Sequence, residues 1–167
     1  MTRVVVVADS GPVHADLTAA VGSVAGAYIV RHGHGHAPLD RLVAQVAPDL
    51  IVIGDLQNPD EALARLAEVR RAAPAAKVVI LSSNPEASWL ADALRAEASA
   101  VLPGSIEPGT LAIVLREVIA APERLPVAVT EADLGSDRFT RPAAGRRRRR
   151  RARRAPRVDL RQEGTAA

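Results

Sequence analysis

Three side chains far apart in the chain make the strongest case for chemistry: Asp9, Asp55 and Ser82. Each follows a short aliphatic run, at residues 4–8, 50–53 and 77–81. Side chains that end neighbouring parallel strands meet at one edge of the sheet. The two carboxylates would therefore stand side by side with a hydroxyl next to them. Two carboxylate oxygens in a loop-built cleft suit Mg²⁺, which takes a few carboxylates plus waters and a phosphoryl oxygen. Ser82 would offer its hydroxyl to an oxyanion held there. The same aspartates equally read as caps of the helices that follow, because Asp is favoured at helix starts. The residues by themselves leave both readings open.

A second group is His32, His34 and His36, which alternate with glycine. An extended loop would present all three imidazoles on one side, where neutral rings bind Zn²⁺, Ni²⁺ or Cu²⁺. Gly33 and Gly35 oppose this, since ordering such a loop costs about 1–2 kcal/mol per residue in backbone entropy. The plain reading is a solvated loop, and His14, at the start of a helix, needs no special role. Other chemistries are excluded. The chain has no cysteine, so thiol nucleophiles, disulfides and Cys-based metal sites are absent. Neither G-x-G-x-x-G after the first strand nor G-x-x-x-x-G-K-[ST] occurs. Asp9-Ser10-Gly11-Pro12-Val13-His14 superficially resembles a cobalamin-binding motif, but the His stands two residues too far from the Asp and the following glycine is missing.

The elements that would position these residues alternate in kind. Aliphatic runs at 4–8, 27–30, 50–53, 77–81 and 100–102 read as strands. Between them lie amphipathic stretches. Leu17, Ala20, Val21 and Val24 recur at helical spacing, as do Leu39, Leu42, Val43 and Val46, then Leu63, Leu66 and Val69. Trp89, Leu90, Ala93 and Leu94, then Leu111, Val114, Leu115 and Val118, continue the series. Five strand–helix repeats, with strands apolar on both faces, predict a parallel sheet covered by helices on both sides.

In this order the segments resemble the response-regulator receiver domains. The resemblance spans roughly residues 3–120. It is carried by Arg3-Val4-Val5-Val6-Val7-Ala8-Asp9, by the stretch from Pro48-Asp49 to Asp55-Leu56-Gln57-Asn58-Pro59, by Lys77 to Ser83, and by Ala93 to Leu102. The last stretch is similar to receivers that precede a LuxR-type DNA-binding domain. The resemblance implies a CheY-like (flavodoxin-like) three-layer α/β sandwich with strand order 2-1-3-4-5. It implies a non-enzymatic signalling module that accepts a phosphoryl group from a sensor histidine kinase. Asp55 matches the phosphoacceptor, keeping the Asp-x-x-x-Pro spacing to Pro59. Asp9 matches a Mg²⁺ ligand, with the carbonyl of Gln57 as third ligand beside Asp55, and Ser82 matches the hydroxyl that turns to the phosphoryl group. The surface of the fourth helix, fifth strand and fifth helix would dimerise or meet partners, with Trp89 either on it or in the core.

The departures carry a cost. Ala8 stands where the family has the first acidic residue, Gly104 after Pro103 where it has a lysine, and Val101 where it has a switch aromatic. Asp55 is one residue further from Pro48 than usual, so Gly54 would bulge or extend the strand. Phosphoryl transfer relies on cations that neutralise the phosphoryl oxygens. Losing the lysine removes a charge-assisted bond of roughly 1.5–3 kcal/mol, and losing a carboxylate weakens Mg²⁺ retention. Together they would lower the phosphorylated population by about two to three orders of magnitude, at about 1.4 kcal/mol per tenfold. The expected molecule is an atypical receiver with weak Mg²⁺ binding.

The C-terminal stretch is different in charge. The 167 residues carry 22 basic and 19 acidic side chains, net +3. Residues 141–167 hold 11 Arg against Asp159 and Glu163, a net of +9, which leaves residues 1–140 with 11 basic and 17 acidic side chains, a net of −6. Arg146, Arg147, Arg148, Arg149, Arg150, Arg151, Arg153 and Arg154 form one basic run. Adjacent like charges repel, so residues 123–167 are expected to be a disordered tail on a domain of residues 1–122. Such a run would bind nucleic acid phosphates through counterion release, without base stacking because no aromatic interleaves with it. An acidic membrane surface is an equal physical match. The absence of a helix-turn-helix after the receiver-like part also admits a truncated LuxR-type regulator. No apolar run approaches the roughly 20 residues of a membrane span, and residues 1–3 lead straight into the first strand without a signal peptide. The expectation is a cytoplasmic protein.

Overall fold

Runs of Val, Ile and Leu that are apolar at every position suit strands buried on both faces, and the computed structural model contains them. It describes residues 1–9, 11–34, 36–54, 56–83, 86–121 and 127–128. The element order is β1 (Thr2–Val7), α1 (Pro12–Gly22), β2 (Ala27–Gly33), α2 (Asp40–Val46), β3 (Leu50–Ile53), α3 (Pro59–Ala72), β4 (Lys77–Ser82), α4 (Ala87–Arg95), β5 (Ala100–Pro103), α5 (Pro108–Ala120) and β6 (Val127–Ala128). All strand pairs are parallel, in the order β2-β1-β3-β4-β5-β6. The expected 2-1-3-4-5 arrangement is present. The sheet then gains β6, a two-residue strand in the stretch where the sequence shows no periodicity. It pairs with β5 through Ala100↔Val127 and Val101↔Ala128.

The period of two along each strand splits the core into two layers. Val4, Val6, Leu50, Val52, Val79 and Leu81 face α1 and α5, and pack with Leu17, Val21, Leu111 and Leu115. Val5, Val7, Ile51, Ile53, Val78 and Ile80 face α2, α3 and α4, and pack with Val43, Leu66, Val69 and Ala93. Trp89 belongs to this second layer. It is 8% exposed, and its indole N–H donates to the carbonyl of Pro59 at 2.9 Å, so it joins α4 to the start of α3.

β2 runs further than its aliphatic stretch implies. It continues through Arg31, His32 and Gly33 because a bulge at Val30 lets these residues pair with Val5, Val6 and Val7. At the other end of the sheet, Lys77 closes α5. Its ammonium donates to the carbonyls of Val118, Ile119 and Ala121 at 2.7, 3.0 and 2.6 Å. These are last-turn carbonyls that the helix itself leaves unpaired.

Candidate functional site

The strand pairing fixes what stands at the carboxyl edge of the sheet. Val7, Ile53 and Ile80 form one row across β1, β3 and β4. Ala8, Gly54 and Leu81 follow one residue on, and all three are buried. Two residues past the row are Asp9, partly buried, and Ser82, 6% exposed and the last residue of β4. Asp55 is likewise two residues past Ile53 in the chain, but it lies outside the described residues. Gln57, the other candidate on this loop, is exposed.

Gly54 decides the character of this edge. Its N–H donates to the carbonyl of Val7 at 2.7 Å, so the β1·β3 ladder continues through it without a bulge. Of the two ways to accommodate the extra residue, extension is the one adopted. A Cβ at position 54 would lie 3.0 Å from Cβ of Ala8, 3.1 Å from Cδ1 of Leu17 and 3.3 Å from Cγ1 of Val13. The space between the ends of β1 and β3 on the α1 side is thus already filled by methyl groups. A carboxylate at position 8 would replace one of these methyls and lose its hydration there. On the far side, the N–H of Gly104 donates to the carbonyl of Ser82 at 3.0 Å, which carries the β4·β5 ladder past Pro103.

The edge also lacks an ammonium group. Lys77 is the only lysine in the chain, and it sits at the amino end of β4, bound to α5 carbonyls. Among the described residues no three His, Asp or Glu side chains are grouped so as to hold a metal ion. Asp9 is the one carboxylate among the described residues two positions past the Val7–Ile53–Ile80 row.

Solved structures with this fold share its signature. A two-component response regulator of the LuxR family from Aurantimonas sp. SI85-9A1 superposes with a TM-score of 0.67, at 18% identity, covering 80% of this chain and 93% of that one. The response regulator domain of CheB from Thermotoga maritima gives 0.59 at 25% identity, covering 71% and 93%. A Burkholderia thailandensis protein assigned to pilus assembly (CpaE) gives 0.61 at 22% identity, covering 72% and 100%. The fold is that of a response-regulator receiver domain. No family model matches the chain, and no curated protein matches it in sequence.

Against the receiver pattern the positions divide clearly. Asp9 lies two residues past β1 and Ser82 ends β4, while Ala8, Gly104 and the buried Val101 stand at the departed positions. Arg146, Arg147, Arg148, Arg149, Arg150, Arg151, Arg153 and Arg154 lie outside the described residues. No helix among the described residues is long and apolar enough to cross a membrane.

The histidines do not form the one-sided row that their spacing suggests. His36 turns to α3, its Nδ1 3.0 Å from a carboxylate oxygen of Glu61. His32 instead meets His14 of α1, His32 Nδ1 to His14 Nε2 at 2.8 Å, with the ring centroids 4.5 Å apart. Sequence reasoning missed this pair, because it depends on the bulge in β2. The His32 imidazole titrates below its ordinary value, chiefly through partial burial of the ring and secondly through the charge of His14.

Proposed function

We propose that this chain acts in two-component signalling as an atypical receiver, a protein-interaction module whose output depends weakly or not at all on phosphorylation of Asp55. The observation that carries the reading is the methyl-lined end of β1 and β3, where Ala8, Val13 and Leu17 crowd Gly54. Phosphoryl transfer to an aspartate needs cations around the phosphoryl oxygens. Here the acidic partner at position 8 and the lysine at position 104 are both missing. Asp55 with Asp9 and the Gln57 carbonyl would hold Mg²⁺ weakly, and Ser82 would be the remaining hydroxyl for a phosphoryl oxygen.

The partners in this reading are a sensor histidine kinase or another signalling protein, and a second copy of the chain. They would engage the side formed by α4, β5 and α5. β6 already pairs with β5 at Ala100 and Val101, so contact there would be made by side chains of α4 and α5 rather than by the β5 strand edge. The role is binding rather than catalysis. Incubation with acetyl phosphate and Mg²⁺ tests it: we expect Asp55 labelling about a hundredfold below that of a conventional receiver treated alongside, or about 2.8 kcal/mol. Labelling at parity would overturn the phosphate-independent reading.

The net charge of +9 on residues 141–167 supports a second reading, nucleic-acid binding by the Arg146–Arg154 run. Removal of residues 141–167 should then abolish DNA retention, which in the full chain should weaken steeply as salt rises. Retention unchanged by the deletion would exclude it.

A further inference from the structure

We propose that His14 and His32 form a chelating site for a divalent transition-metal ion, Cu²⁺ or Ni²⁺ ahead of Zn²⁺, with water in the remaining coordination positions. Two independent features of the fold build the pair. The first is the bulge at Val30. Upstream of it Ile29 pairs with Val4, and downstream His32 pairs with Val6. Both Val4 and Val6 face α1. A strand without the extra residue would turn His32 to the opposite face, because a one-residue slip exchanges faces. Bulges re-aim side chains in this way beside functional sites. The second feature is the start of α1, where Gly11 at φ 130° and Pro12 begin the helix and set His14 in its first turn.

The geometry favours an ion of tetragonal preference. Two nitrogens bound about 2.0 Å from one ion are about 2.8 Å apart when cis in a square arrangement, and about 3.3 Å apart in a tetrahedral one. His14 Nε2 and His32 Nδ1 stand 2.8 Å apart. Binding then requires the rings to rotate off their mutual hydrogen bond so that both lone pairs converge on one ion. The order of affinities for nitrogen ligands also places Cu²⁺ first. His14 is partly exposed and His32 exposed, so an ion reaches both from solvent. His36 is engaged with Glu61 and stands apart from this pair.

The test is calorimetric titration of the full chain, carrying no polyhistidine tag, with CuCl₂, NiCl₂ and ZnCl₂ in turn. One saturating equivalent of Cu²⁺ is expected, bound more tightly than Zn²⁺. His14→Gln and His32→Gln should each weaken Cu²⁺ binding at least about tenfold, or about 1.4 kcal/mol, while His36→Gln leaves it unchanged. Circular dichroism in EDTA establishes that each variant is folded, and the electron paramagnetic resonance of bound Cu²⁺ supplies a second readout. Nitrogen couplings should fall from two rings in the parent to one in either variant. Absence of saturable binding would overturn the proposal. So would undiminished affinity in either His14→Gln or His32→Gln, which would assign the ion to the His34–His36 loop.

Discussion

The two ends of the sheet are built from opposite materials. At the amino end, charged side chains tie elements together through main-chain atoms. Lys77 holds three carbonyls at the end of α5. Arg70 of α3 donates to the carbonyls of Ala76 and Glu97, at 2.7 and 2.6 Å. The carboxylate of Asp49 accepts the N–H of Arg3 at 2.7 Å, while its main chain bonds Arg3 and Lys77. At the carboxyl end the ladders are carried on by the main chain of Ala8, Gly54 and Gly104, and the space between β1 and β3 is filled by methyl groups. Lys77 and Arg70 thus spend their charge on main-chain carbonyls at the end of the sheet opposite Asp9 and Ser82. A receiver that handles phosphate needs the reverse distribution.

The largest test of this contrast puts charge where the methyl groups are. Ala8→Asp places a carboxylate at a position 2% exposed, beside Gly54 and Leu17. With no lysine at that edge to pair it, the substitution should cost about 3–5 kcal/mol at neutral pH, read from denaturant midpoints. A loss below about 1 kcal/mol would show that the edge is solvated like a phosphate pocket, and the contrast would fail.

The amino end gives a smaller effect. Lys77→Met keeps most of the aliphatic stem but removes three charge-assisted bonds to α5, and should cost about 2–3 kcal/mol. The same variant should leave Asp55 labelling by acetyl phosphate unchanged, because Lys77 lies at the opposite end of the sheet. A change in labelling without loss of stability would reverse the assignment of the two ends.

How much of this was legible in the sequence follows from what each feature depends on. The five strands and five helices were readable because burial on both faces writes itself as unbroken aliphatic runs, and burial on one face as spaced ones. The carboxyl edge was readable in outline, since Asp9 and Ser82 end strands that the pattern marks. The crowding at Gly54 was not, because it depends on how closely Leu17 and Val13 approach from α1. β6 pairs only through the main chain of two residues, so it leaves no pattern at all. The His14–His32 contact was hidden for a different reason. The alternation of His32, His34 and His36 points to a loop reading, and only the bulge at Val30 reveals that His32 belongs to a strand and faces α1.

That pair supplies the smallest and most specific effect. His32 titrates below its ordinary value near 6.5, through partial burial of its ring first and the charge of His14 second. The folded chain therefore resists protonation of this ring, while the unfolded chain accepts the proton at the ordinary pH. Between the two values the unfolded state binds more protons, so stability rises with pH across that window. The contribution is complete above about pH 6.5 and is lost as the pH falls toward the folded value. Carboxylates elsewhere add their own acid dependence, so the measurement is a difference. In metal-free buffer the parent should lose more stability than His32→Gln between pH 7.5 and pH 5.5. Parallel stability curves for the two proteins would mean that the ring at position 32 is solvated in the folded state, and that the bulge does not press it against α1.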